Sequence, residues 1–193
     1  MPMPSDLQAI TDVFRQLDRE VWLLTAADGD RRGGLIATFV SHASIVPELP
    51  RVLVGLARSH HTWELVNSSR AFALHLLSEL NLDWVWRFGL QSGREIDKLA
   101  GLDCRREATG SPILPGALAW LDCRVESGFE TGDRTVFLAE VLAGQLHATE
   151  PPLTLKRVLQ LAAPEQLQEL RTQLERDARI DAEAIRAWRR RAW

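Results

Sequence analysis

The stretch from Ala117 to Leu146 constrains the fold more than any other part of the chain. Leu121, Cys123 and Val125 alternate with Asp122, Arg124 and Glu126, the run breaks at Glu130-Thr131-Gly132-Asp133, and Thr135 to Leu146 resumes it. A period of two puts successive side chains on opposite faces of a strand, and a glycine-bearing turn between two such runs folds them antiparallel. The edges of such a hairpin must be paired or covered, and closing the sheet on itself achieves both.

Further strands are present. Glu20 to Ala27 and Leu35 to Val40 flank the turn signal Asp28-Gly29-Asp30 and read as a hairpin. After the broken stretch Pro47-Glu48-Leu49-Pro50 come a strand at Arg51–Leu56, a short helix from about His60 to Asn67 and a strand at Ala71–Leu77. Leu7, Ile10, Val13, Phe14 and Leu17 form a helical stripe that Ser5 or Asp6 can cap. Leu82, Val85, Trp86 and Leu90, then Ile96 and Leu99, predict one or two short helices over 80–100, and residues 110–112 read as a loop. Beyond Pro151-Pro152, Leu167, Leu170 and Leu174 share a face and Glu175 precedes Arg179 by four residues, so the tail is expected to be helical. Many short strands before residue 150 point to a small barrel or sandwich, one domain over 1–150 with a helical extension over 151–193 packed on the barrel or a dimer partner.

Composition removes several function classes. A net charge of -3 with both signs dispersed gives no field for nucleic acid or an anionic membrane. Two cysteines without metal-site spacing, Cys104 and Cys123, predict free thiols in a reducing compartment. The start Met1-Pro2-Met3-Pro4 lacks the basic and apolar regions of a leader, and no run approaches the roughly 20 apolar residues of a membrane helix. The expected address is the cytoplasm.

Two constellations bear on chemistry. In Gly34-Leu35-Ile36-Ala37-Thr38-Phe39-Val40-Ser41-His42-Ala43-Ser44, small and hydroxyl residues carry a strand into a loop, where backbone amides can approach a planar ligand. Thr38, Ser41 and Ser44 can supply its polar contacts, although the same residues also serve loop backbone. In Arg58-Ser59-His60-His61-Thr62, a guanidinium and a hydroxyl able to cap sit where a strand gives way to a helix, a good seat for phosphate or an ordinary capped helix end.

Together with Val52–Ser59, Arg70–Leu77, Pro112–Arg124 and Gly132–Val141, the segment Gly34–Pro47 resembles the flavin reductase-like FMN-binding split-barrel family over nearly the whole first 145 residues. The resemblance implies a mainly β fold with helices, a closed Greek-key split β-barrel. It also implies a homodimer with FMN held near the subunit interface, Ala37, Thr38, Phe39, Val40, Ser41 and Ser44 against the ring and ribityl chain, and Arg58, Ser59 and Thr62 near the phosphate. The activity implied is an oxidoreductase passing electrons through FMN from NADH, NADPH or a protein donor to a small-molecule or protein partner. Two departures stand out. Arg134 follows Gly132-Asp133 where many members have a nicotinamide-associated His, and Glu48-Leu49 split a proline pair usual in the family.

Other readings start from fewer residues. His60 and Glu64 share a helical spacing without a third metal ligand, and no GxSxG, P-loop or HExxH motif occurs. Trp63, Trp84 and Trp86 suit either a cofactor shelter or core packing. The terminal Trp188-Arg189-Arg190-Arg191 suits a helix C-terminus, with Trp188 packed on the barrel or a second subunit. No catalytic side chain stands out, which leaves open a non-catalytic FMN carrier, a split barrel for another planar cofactor such as pyridoxine phosphate or haem, and an assembly module.

Overall fold

The computed structural model describes residues 5–192. Met1–Pro4, read above for a leader, and Trp193 lie outside the described residues, as does the cap expected from the Ser5 or Asp6 side chain. In chain order the elements are α1 (Ser5–Gln16), β1 (Trp22–Asp28), β2 (Arg31–Ala37), β3 (Val40–His42), β4 (Arg51–Ala57), α2 (His61–Ser69), β5 (Ala71–Leu76), a 3-10 turn (Glu79–Asn81), α3 (Leu82–Gly89), β6 (Arg105–Arg106), β7 (Pro112–Ile113), β8 (Ala119–Glu130), β9 (Arg134–Leu146), α4 (Leu155–Leu161) and α5 (Pro164–Ala192).

Seven antiparallel strands form one sheet in the order β2-β1-β5-β8-β9-β4-β3. Its two edges are consecutive in the chain. Only Thr38 and Phe39 separate β2 from β3, and the Phe39 carbonyl already accepts the Gly55 amide at 2.9 Å. The sheet must therefore curl until its edges approach, which makes the fold a mixed one, a curled antiparallel half-barrel with helices. β2 and β3 share no ladder among the described residues, so the hydrogen-bonded closure expected above is not found; one continuous stretch of chain links the two edges instead.

Inside the curl, Leu24, Val54, Leu56, Phe72, Leu74 and Phe137 pack with Leu65 and Val66 of α2. Each fully buried side chain of this size contributes about 1.5–3 kcal/mol. α2 carries the chain across the sheet from β4 to β5, which β8 and β9 separate. Two polar groups are fully buried on the β5–β8 side. The His75 Nδ1–H donates to the Leu23 carbonyl (3.0 Å) while Nε2 accepts the Leu114 amide (3.0 Å). Asp122 accepts the Thr109 amide (2.9 Å) and the Thr109 hydroxyl. Both tie the 107–118 loop to the sheet.

The helix expected toward Leu99 stops at Gly89, because the buried Lys98 ammonium donates to the Phe88 (2.9 Å) and Gln91 (3.1 Å) carbonyls that a continuing helix would use. The loop over 110–112 ends one residue early, since Pro112 begins β7 and its carbonyl accepts the Thr25 hydroxyl. The tail is helical as expected, and Leu153 and Val158 are core residues.

Candidate functional site

Alternation along β4 builds the site. Val52, Val54 and Leu56 point inward, which leaves Leu53, Gly55 and Ala57 on the outer face. Gly55 and Ala57 make a low floor there. Phe39 rises beside it, 51% exposed, and a Cβ added at Gly55 would lie 3.2 Å from the Phe39 Cβ and 3.7 Å from the Arg134 Cδ. The guanidinium carbons of Arg134 and Arg19 stand 4.6 and 5.0 Å from the centre of the Phe39 ring, within cation–π range.

At the far end of β4 the chain turns through Arg58–His60 into α2. His60 occupies the cap position without a side-chain cap bond, so Ser59 is not the cap that the sequence suggested. Among the described residues the amides of Ser59, His61 and Thr62 donate no hydrogen bond, and unpaired first-turn amides with the helix dipole attract anions. Arg58 lies alongside, 5.3 Å from the Trp63 ring and 3.2 Å from the Glu130 carboxylate, with its amide on the Asp133 carbonyl (3.1 Å). The Trp63 indole donates to the Thr135 hydroxyl (2.8 Å), which donates to Glu130 (2.6 Å). Leu56 and Ala57 lie between Gly55 and Arg58, so the two are three steps apart along the chain, roughly 10 Å at 3.3 Å per residue.

The expected site residues divide accordingly. Phe39, Arg58 and Ser59 are exposed. The Ala37 side chain is buried in the core, Val40 packs against it, and the buried Thr62 turns its hydroxyl toward Gly33, so these three offer only backbone. Thr38 is half-buried, the Ser41 hydroxyl donates to the His42 carbonyl (3.2 Å), and the Ser44 hydroxyl accepts the Val46 amide (3.1 Å). The 37–44 and 58–62 stretches meet across open surface through Gly55, Ala57 and Arg134. Two clefts lie elsewhere. A groove of about 480 Å³ runs along β8 and β9, and a polar cleft of about 540 Å³ lies beside His61, where Arg94 pairs with Glu64 (2.6 Å) and Arg32 with Asp97 (2.6 Å).

Sequence reasoning missed Gly55 and Ala57, although the alternation in Arg51-Val52-Leu53-Val54-Gly55-Leu56-Ala57 already aims them outward. It also missed Glu130 and the carboxylates around Arg134, whose Nε lies 2.5 Å from Asp133 and whose Nη2 lies 3.0 Å from Asp181 of α5. No local signal announces those partners.

The family model for the flavin reductase like domain matches residues 14–159. This chain belongs to the flavin reductase-like family. It is 36% identical over 136 residues to the reductase subunit HsaB of a flavin-dependent monooxygenase from Mycobacterium tuberculosis, covering 70% of each chain. It is 30% identical over 154 residues to a flavin reductase from Pseudomonas putida, covering 79% of this chain and 87% of the relative. Among solved structures, nitrilotriacetate monooxygenase component B from Mycobacterium thermoresistibile superposes with a TM-score of 0.66 at 28% identity, covering 77% of this chain and 82% of that one. Membership makes this flavin reductase-like chain a flavin-binding oxidoreductase. None of its described helices is long and apolar enough to cross a membrane.

Proposed function

We propose that the chain is an FMN-dependent reductase acting as a homodimer. The flavin ring lies on the outer face of β4 over Gly55 and Ala57, residues 37–44 border the ring and ribityl chain, and the phosphate sits at Arg58, Ser59 and the first amides of α2. One observation carries this reading. An uncapped helix N-terminus with an adjacent guanidinium follows directly on a floor of two small residues, Ala57 next to Arg58 and Gly55 roughly 10 Å from it, so an anion seat and a flat shelf share one end of β4.

A flavin held there supplies hydride-accepting and electron-donating chemistry. The chain's own residues do the rest. The α2 amides and Arg58 anchor the anion, Gly55 lets the ring approach the backbone, and Phe39 shields one edge from water. The electron donor is a reduced nicotinamide or a protein, and the acceptor a small molecule or an oxygenase partner, as the name of the HsaB relative suggests. Two features support the dimer. The apolar groove includes Pro50, Leu121, Val141 and Leu146, and α1 exposes Leu7, Ile10, Val13 and Phe14, with Leu17 exposed just beyond it. Two free thiols are consistent with a cytoplasmic setting, and the barrel domain over 1–150 carries the site while 151–193 extends it.

A second reading, an electron carrier that no nicotinamide reduces, is favoured by Arg134, whose guanidinium is engaged by two carboxylates. Mixing FMN-loaded protein with NADH or NADPH without oxygen separates them. The reductase bleaches the flavin band within seconds, whereas persistent yellow colour with both nucleotides supports the carrier.

A further inference from the structure

The C-terminal helix is tied to the rest of the fold at several points along its length. Gln173 of α5 donates to the Leu90 carbonyl (2.9 Å), and Asp181 lies 3.0 Å from the Arg134 guanidinium. One turn on, the helix meets the β8–β9 turn so closely that a Cβ at Gly132 would stand 2.8 Å from the Trp188 Cβ and 3.1 Å from the Ile185 Cα. Gly132 also holds φ +101°, so no other residue suits both the turn and the approach. The helix thus runs from the end of α3 to the β8–β9 turn, past Arg134, which pairs with Ala57 at the end of β4. Burial lowers the pKa of His60, the α2 cap residue, and the negative charges of Asp177 and Asp181 oppose that shift.

We infer that α5 is an internal competitor for the anion seat: Asp181 holds Arg134, which pairs across the β4–β9 ladder with Ala57, one residue before Arg58, and so sets a fixed carboxylate beside the seat, so that α5 must yield when FMN binds. The inference rests on the reading of β4 and α2 as the flavin seat. Its physical basis is that a negative charge fixed near an anion site repels an incoming phosphate and neutralises the nearby Arg134, which would otherwise add to the attraction. Asp181 carries this cost itself, because burial raises its pKa even with Arg134 adjacent. Two more groups face the contact, Asp133 and the His60 ring, and Asp133 stays on Arg134 when Asp181 leaves.

The test uses the full chain and two neutral, isosteric variants, Asp181→Asn and Asp177→Asn with Asp181→Asn. FMN and riboflavin, which lacks the phosphate, are titrated by flavin fluorescence, and hydrogen exchange of the α5 amides is followed with and without FMN. The expected result is about 5- to 10-fold tighter FMN binding in the variants, little change for riboflavin, and faster exchange over residues 173–188 of the wild type when FMN binds. Equal or weaker FMN binding by the variants, or slower exchange of α5 on binding, overturns the competition while leaving the flavin seat intact. Should neither the wild type nor the variants bind either flavin, the seat itself is wrong and the competition falls with it. A variant that unfolds is recognised by circular dichroism, and the exchange measurement on the wild type then decides alone.

Discussion

The two sides of the sheet treat polar groups differently. On the β5–β8 side, His75 and Asp122 are sealed from water and every partner is backbone or a neighbouring hydroxyl. On the β4–β9 side, Arg58 pairs with Glu130 at the surface, while Arg134 is held by the mostly buried carboxylates of Asp133 and Asp181. A buried group bonded to backbone has no cheap alternative, so it fixes one structure. A surface ion pair is worth little more than its solvated parts, so its members can change partners. The first side is built for stability, the second for exchange with a ligand.

The comparison breaks first at His75. Burial pulls its pKa down from 6.5 to about 4, and the Leu114 amide donating to Nε2 requires the neutral ring. Between those two pH values the unfolded chain binds the proton and the native chain does not, so stability falls as pH drops from 6.5 toward 4, by about 3 kcal/mol in all. Urea unfolding at pH 7 and pH 4 measures it, and a His75→Gln variant should lose that part of the slope. Next, Asp122→Ala strands the Thr109 amide and hydroxyl at a cost of roughly 2–3 kcal/mol, read as a lower thermal midpoint, with FMN affinity unchanged.

On the exchangeable side the pattern inverts. Arg58→Ala should leave the thermal midpoint within a degree or two but weaken FMN binding by roughly 1.5–3 kcal/mol, the range for a hydrogen bond to a charged group. Unchanged affinity in a flavin titration would remove Arg58 from the site. The smallest effect belongs to Glu130→Gln, which frees Arg58 from its surface pair and should tighten FMN by less than about 1 kcal/mol. A weaker complex would mean that Glu130 orients Arg58 for the phosphate and does not compete with it.

Periodicity explains what the sequence revealed. Strands β1, β2, β4, β5, β8 and β9 and helices α2 and α5 follow from alternation and helical stripes because those patterns report local geometry. The end of α3 was hidden, since Lys98 reaches back seven and ten residues to the Gln91 and Phe88 carbonyls and no window of apolar spacing records that. At the site, the outward aim of Gly55 was readable in the β4 alternation. The burial of Thr62 was not, because α2 rotates its first turn toward Gly33. The Arg134–Asp181 pair spans 47 residues and depends on where a helix comes to rest, a tertiary fact that charge patterning cannot supply.

The most direct measurement is an FMN titration of Gly55→Val. Its side chain would point outward over the floor proposed for the ring, away from the core; the Phe39 Cβ, 3.2 Å from a Cβ at this position, must shift by a few tenths of an ångström, so the fold should persist with a somewhat lowered thermal midpoint. The account predicts that FMN binding is lost or weakened at least 100-fold. Wild-type FMN affinity in a folded Gly55→Val protein would contradict it and move the flavin off this face of β4.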